Sequence, residues 1–281
     1  MISKRKLSPK GKRTDSKNLI KFRDHFESLY TLYHKNSYLG LDPLICVHDF
    51  SEEPDLEIAG FLCSALAYGR VENIISSLRK IFSVIPEGPA QFALNTTFEE
   101  KKRRLSGFRH RFNDSVDTAL LFETLGQIVK RSGSVEAAFI ECVENGAPFE
   151  QRLIHFVKMI RLLAESLYGR KKGFEYLVPS PGDGSACKRL LLYMRWMVRA
   201  RDGIDLGVWR KIPPSELIFP VDTHVAKIAS FYGITKRKSV DWKMACQITD
   251  FFREFDPHDP VKYDFSLCRA GMVDFRKGAE N

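Results

Sequence analysis

An aspartate at the expected start of a helix is the residue of this chain best suited to do chemistry. Residues 220–225 read Pro-Val-Asp-Thr-His-Val, and Asp222 precedes an apolar pattern of helical period. Its carboxylate could cap the helix by accepting hydrogen bonds from the first free backbone amides. The same carboxylate could stabilise a cationic sugar, or orient or deprotonate a nucleophile, during cleavage of an N-glycosidic bond. The local pattern leaves both roles open.

A glycine-containing turn followed by a basic segment is the second candidate. Residues 181–185 read Pro-Gly-Asp-Gly-Ser, and the segment 188–201 is rich in Lys and Arg. At about 100° per residue, Lys188, Arg195 and Arg199 fall along one side of a helix, opposite apolar side chains. Turn amides and a helix N-terminus attract anions, so this side could face a phosphate backbone; a solvated charged face is the alternative. We predict phosphate contacts from Gly182, Gly184, Ser185, Arg189, Arg195 and Arg199.

The composition agrees with a phosphate-rich partner. The 281 residues carry a net charge of +9, the pI is near 9.2, and a hydrophobic content of 44% excludes a disordered chain. Residues 1–14 read as a basic, disordered tail. No apolar run approaches the ~20 residues of a membrane helix, and no secretory signal is recognisable. We expect a cytoplasmic protein that does not enter membranes, and we expect a monomer.

Cysteine and histidine spacing argues against a metal site. The six cysteines stand far apart and form no C-x-x-C pair, so a zinc knuckle or a redox motif is not supported. His224 has no second ligand one helical turn later, because position 228 is Ile228. We therefore expect no metal and no cofactor.

The periodicity predicts an all-α chain. Helices are expected over residues 19–33, 56–68, 71–85, 115–130, 134–144, 149–168, 221–232, 241–255 and 260–270, besides the basic helix. The helix over 56–68 is apolar nearly all round, which predicts a buried, central position. Residues 86–112 and the gap 169–185 are predicted to be irregular.

Two motifs resemble the signatures of the helix-hairpin-helix DNA glycosylases. These are residues 181–184 with the helix that follows, and residues 221–225; residues 62–67 resemble the buried N-terminal helix of that superfamily less specifically. Over roughly residues 40–270 the chain is more similar to an uncharacterised bacterial family with a glycosylase-like core. The similar segments are 57–60, 67–70, 188–190, 195–199 and 259–265. The resemblance implies a two-lobed fold, with one lobe of residues 55–200 and another of 15–54 plus 201–281.

The resemblance also implies roles for two residues. Asp222 matches the catalytic aspartate, which favours catalysis over simple capping. Lys188 resembles the lysine of strand-cutting relatives, whose neutral amine attacks the sugar and forms a Schiff base. Strict alignment on the turn places Ala186 at that position. The separation of 34 positions between Lys188 and Asp222 resembles that of the archaeal 8-oxoguanine DNA glycosylases, in which an insertion spreads the lysine and the aspartate apart. Lys188 is thus a nucleophile or a phosphate contact; as a nucleophile it needs a lowered pKa, from burial or from a cation such as Arg189.

The expected function is that of an enzyme on double-stranded DNA. The resemblance implies a DNA-repair glycosylase that cleaves the N-glycosidic bond of a damaged or modified, flipped base, with or without abasic-site lyase activity. The alternatives are a non-catalytic helix-hairpin-helix DNA-binding protein, and a different enzyme on modified RNA or nucleosides. Leu66 stands where relatives carry a polar residue that probes the duplex, so that function must come from elsewhere. Tyr68, Arg70 and Phe108 are candidate wedges, and core packing is the alternative for the aromatic side chains. Too few cysteines lie near the C-terminus for the iron–sulfur loop of some relatives.

Overall fold

The computed structural model describes residues 16–144 and 146–278. The predicted basic tail, residues 1–14, lies outside them. The regular secondary structure of the described residues is helical apart from one short hairpin, so the all-α prediction is confirmed. None of the described helices is long and apolar enough to span a membrane.

The described α-helices follow one another along the chain, with longer connections before α2 and before α11. They are α1 (Ser16–Tyr33), α2 (Glu53–Ala65), α3 (Val71–Ser83), α4 (Pro89–Asn95), α5 (Phe98–Arg104), α6 (Ser115–Ser132), α7 (Val135–Glu141), α8 (Phe149–Tyr168), α9 (Lys172–Leu177), α10 (Lys188–Val198), α11 (Thr223–Phe231), α12 (Trp242–Arg253) and α13 (Asp264–Gly278). Two-residue strands β1 (Arg109–His110) and β2 (Asn113–Asp114) pair antiparallel between α5 and α6. Single 3₁₀ segments lie at Asn36–Leu41, Pro43–Cys46, Pro181–Asp183 and Pro214–Glu216.

Helix α2 lies at the centre of the molecule, as its apolar sequence predicts. Every residue from Leu56 to Ala65 is buried, and α2 packs against α4 and α10. Gly60 permits the close approach of α10, because a Cβ built there would lie 2.6 Å from Cε of Met197. The basic helix is therefore packed directly on the core.

The prediction that two segments of the chain are irregular is partly wrong. Residues 86–112 contain α4, α5 and β1, the gap 169–185 contains α9, and the last helix begins at Asp264 rather than at Pro260. Helices of six or seven residues are unstable in isolation and depend on tertiary contacts. In α4 the Oδ1 atom of Asp55, on α2, accepts a hydrogen bond from the amide of Ala90 at 2.8 Å. Because Asp55 lies 35 positions before Ala90, this capping contact leaves no recognisable pattern in the sequence of α4 itself.

A buried glutamate joins α2 to the start of α7. Oε2 of Glu57 accepts a hydrogen bond from the amide of Val135 at 3.0 Å, and Oε1 accepts from the amide of Glu136 at 2.9 Å and from Nε1 of Trp209 at 2.7 Å. Burial raises the pKa of Glu57, and these donors act against the rise. The carboxylate thus satisfies amides that the first turn of α7 cannot satisfy internally.

We expect Glu57→Gln to lower the free energy of unfolding by about 2 kcal/mol, because an NH₂ group replaces an acceptor oxygen and leaves a buried donor without a partner. Urea unfolding followed by circular dichroism measures the change. Glu72→Gln, at an exposed position of α3, is the matched control and should change stability by less than about 0.5 kcal/mol. Equal stabilities of the two variants would contradict the capping role.

Candidate active site

Asp222 caps α11 with one carboxylate oxygen. Its Oδ1 atom accepts hydrogen bonds from the amides of His224 and Val225, both at 2.8 Å. The predicted capping geometry is therefore present. The second oxygen, Oδ2, lies 3.0 Å from Nζ of Lys188 and is available for other chemistry.

Lys188 is the first residue of α10 and points toward α11. It follows Cys187, whose left-handed backbone (φ 50°) turns the chain into the helix. The side chain of Lys188 is 31% exposed and that of Asp222 is 21% exposed, so the pair is reachable but mostly enclosed. The two residues that the sequence singles out for catalysis are thus in contact, although they are 34 positions apart in the sequence.

Both members of this pair are charged at neutral pH. Burial opposes the charge of Lys188, but the carboxylates of Asp222 and Asp264 outweigh burial and raise its pKa. Burial likewise opposes the charge of Asp222, but Lys188 and the amide of Val225 lower its pKa. The lowered lysine pKa expected for a nucleophile is therefore wrong for the free protein, because the nearest charge is a carboxylate and not a cation.

Two residues of α13 lie behind the pair. Asp264 is fully buried and accepts a hydrogen bond at Oδ2 from Nη1 of Arg195. Burial raises the pKa of Asp264 to about 6 against the opposing effect of Arg195. Burial also raises the pKa of the Cys268 thiol, which favours its protonated, less reactive form. Sequence reasoning missed both residues; the only signal was that Asp264 ends the Asp-Pro-Val-Lys-Tyr-Asp segment.

Arg195 and Arg199 do not face outward, and their predicted phosphate contacts are wrong. They are 2% and 5% exposed. Arg195 pairs through Nε with Asp205 at 3.1 Å and through Nη1 with Asp264. Arg199 pairs through Nε with Asp259 at 2.8 Å and through Nη1 with Asp205 and, at 3.2 Å, with Asp202. Carboxylates from the segment after α10, from the approach to α13 and from the first residue of α13 neutralise these two buried positive charges.

Arg189 is also buried, so its predicted phosphate contact is wrong too. Its Nη1 donates to the carbonyl of Ala65 at 2.7 Å, at the C-terminus of α2, and its Nη2 donates to the carbonyl of Tyr176. The guanidinium also lies over the rings of Tyr68 and Tyr176, 5.1 Å and 4.2 Å from their centroids. Arg189 is turned away from Lys188 and stabilises the end of α2, where carbonyls lack internal partners.

The glycine turn lies on the surface, but its amides are partly engaged. The amide of Gly182 donates to Oγ of Ser180 at 3.2 Å, and that of Gly184 donates to the carbonyl of Pro181 at 2.9 Å. Oγ of Ser185 accepts from the amide of Cys187 at 3.1 Å. A phosphate contact from Gly182, Gly184 or Ser185 stays a prediction. Across residues 16–144 and 146–278, no group of three or more potential metal ligands is present.

The comparisons with known proteins identify a family. The family described as "Protein of unknown function (DUF2400)" matches residues 42–273, which include Lys188, Asp222 and Asp264. Searches of the curated proteins and of the solved structures find no match. Because the match covers more than half of the sequence, the chain belongs to the DUF2400 family.

Proposed function

We propose that this protein is a DNA-repair glycosylase that cleaves the N-glycosidic bond of a damaged or modified base. The observation that carries the proposal is the 3.0 Å contact between Nζ of Lys188 and Oδ2 of Asp222, each at the start of a helix. A carboxylate and an amine so placed can act on one sugar carbon. The fold would be two-lobed and helix-hairpin-helix, with the cleft between α10 and α11.

Asp222 has the geometry that bond cleavage needs. Departure of a base builds positive charge on the sugar, which a fixed carboxylate stabilises. Two backbone amides hold Oδ1, so the orientation of Oδ2 does not depend on a flexible rotamer. The lowered pKa of Asp222 keeps the group ionised at neutral pH, as a charge stabiliser or proton acceptor requires.

Lys188 can contribute in two ways. As an ammonium it can hold a DNA phosphate while Asp222 orients an attacking water, which would make a monofunctional glycosylase. As a neutral amine it can attack the sugar carbon, displace the base and form a Schiff base, which a lyase requires. The second route begins with loss of a proton from Nζ, and the raised pKa makes this loss costly in the free protein.

The partner would be double-stranded DNA with the target nucleotide flipped out of the stack. The net charge of +9 supports a polyanionic partner. Since Arg189, Arg195 and Arg199 are buried, phosphate binding would rely on exposed groups elsewhere. A cytoplasmic monomer remains our expectation for the enzyme.

Incubation with a panel of lesion-bearing duplexes, followed by borohydride trapping, tests the proposal. We expect release of a base from at least one duplex. Release with a trapped adduct indicates a bifunctional enzyme, and release without one indicates a monofunctional enzyme. Binding without release from any duplex would favour the non-catalytic DNA-binding protein. If the protein neither binds nor releases a base from any duplex, a DNA partner is contradicted. Modified RNA or nucleosides would then be the substrates to test.

For a bifunctional enzyme, we expect the amount of trapped adduct to rise with pH. Below the raised pKa of Lys188, the fraction of neutral amine increases about tenfold per pH unit. Single-turnover trapping between about pH 7 and pH 9 measures the profile. Lys188→Ala should give no adduct at any pH. An adduct that survives this substitution would assign the chemistry to another amine.

A further inference from the structure

The tip of the β1–β2 hairpin exposes an aromatic ring. Phe112 is 51% exposed and follows Arg111, which has a left-handed backbone (φ 56°). The ring stacks on Tyr68, with centroids 5.4 Å apart and planes inclined by 25°, and it meets Tyr176 edge to face at 4.4 Å. From the interior, the guanidinium of Arg189 packs on both tyrosines. These rings form a supported platform rather than a mobile side chain.

A cationic pocket of about 450 Å³ adjoins this platform. The residues that line it include Arg70, Lys80, Arg109 and Arg111 and no acidic residue. Nε of Arg109 donates to the carbonyl of Arg111 at 3.0 Å. Within the described part of the chain, none of these cations forms an ion pair. A pocket of this charge attracts an anion, and a phosphate group is the common biological one.

A buried histidine holds the pocket together. Nδ1 of His110 lies 2.9 Å from Oγ of Ser77 on α3, and Nε2 lies 3.1 Å from the carbonyl of Tyr68. Burial lowers the pKa of His110, so the ring is neutral at physiological pH and adds no charge to the pocket. His110 therefore joins the hairpin, α3 and the loop after α2, the three segments that carry the cations of the pocket.

We propose that this surface binds an unpaired segment of DNA, with a backbone phosphate in the pocket and a base stacked on Phe112. Unpaired cations beside an exposed aromatic ring are the combination with which proteins hold single strands. Arg189 links the surface to the candidate active site, because it packs beneath the platform and is the neighbour of Lys188 in α10. The choice of DNA rests on the proposed function, but the binding itself requires no base release.

Fluorescence anisotropy with a labelled single-stranded oligothymidine 12-mer, and with a duplex of equal length, tests this inference. Phe112→Ala should weaken binding of the single strand by about 5- to 150-fold, and Phe112→Trp should retain it. Tyr168→Ala removes a similarly exposed ring from the end of α8 and should leave the affinity unchanged. Circular dichroism confirms that each variant is folded.

The pocket is tested by salt dependence. The double variant Arg70→Gln with Arg109→Gln should reduce the slope of log affinity against log salt by about 0.7 for the single strand, the value for one phosphate. Arg131→Gln, at an exposed position of α6, is the control. Unchanged affinity and slope in the Phe112 and arginine variants would overturn the inference. An equal loss for duplex and single strand would also overturn it, since the ring would then not select unpaired bases. Intact single-strand binding without base release from any duplex would instead contradict the proposed glycosylase activity and leave this inference standing.

Discussion

Replacement of Asp222 by asparagine should lower base excision by orders of magnitude while the protein remains folded and binds DNA. Asparagine caps a helix about as well as aspartate, so Oδ1 can still accept from the amides of His224 and Val225. The amide group that replaces Oδ2 has no charge and cannot take a proton or stabilise a cationic sugar. Loss of the contact with Lys188 should cost at most about 1 kcal/mol, because the pair is partly exposed.

Single-turnover base release on the preferred lesion measures this effect, and chemical unfolding verifies the fold. Asp241→Asn is the matched control. Asp241 also caps a helix, accepting from the amide of Met244 at 2.9 Å, pairs with Arg237, and its side chain is 23% exposed. The control should lose a similar amount of stability and keep its activity. Wild-type rates in folded Asp222→Asn would reduce Asp222 to a helix cap and exclude the mechanism.

Arg195→Met should lower the free energy of unfolding by about 3–5 kcal/mol, since it leaves two buried carboxylates without their shared cation. These are Asp205 and Asp264, both fully buried. Urea unfolding measures the loss. Arg103→Met is the control, because Arg103 pairs with Glu100 on the surface and should contribute less than about 1 kcal/mol. A loss of similar size in both variants would contradict the stabilising role of the buried network.

The loss of unfolding free energy in Arg195→Met should also depend on pH. Burial raises the pKa of Asp264 to about 6 from an ordinary 3.8, so the folded state binds the proton more tightly, and the contribution of Asp264 to stability falls as pH rises through this window. Without Arg195 the pKa should rise further. The deficit of Arg195→Met relative to wild type should therefore be smaller at pH 5 than at pH 8. Equal losses of unfolding free energy at pH 5 and pH 8 would contradict the assignment of the unpaired charge to Asp264.

Sequence periodicity alone determined the long helices. The predicted helix over residues 149–168 is α8, Phe149–Tyr168, and the apolar segment from Leu56 is the buried helix α2. The prediction of a cap at Asp222 is confirmed as well. These features are local: an apolar repeat and a capping residue act within a few residues of chain. The short helices α4 and α9 were not predictable in this way, since helices of this length are stabilised by distant contacts.

The role of the basic helix was decided by the tertiary structure. The helical repeat correctly places Arg195 in α10 and Arg199 at its C-cap on one side of the helix, but it does not show what that side meets. Asp205 comes from the loop just after α10, whereas Asp259 and Asp264 come from a segment that is distant in sequence. Together they turn an expected phosphate-binding face into a buried ion network. The contact of Lys188 with Asp222 likewise forms across 34 residues. Residue types and spacing therefore identified the chemistry that was available, whereas packing decided which charges meet one another and which meet solvent.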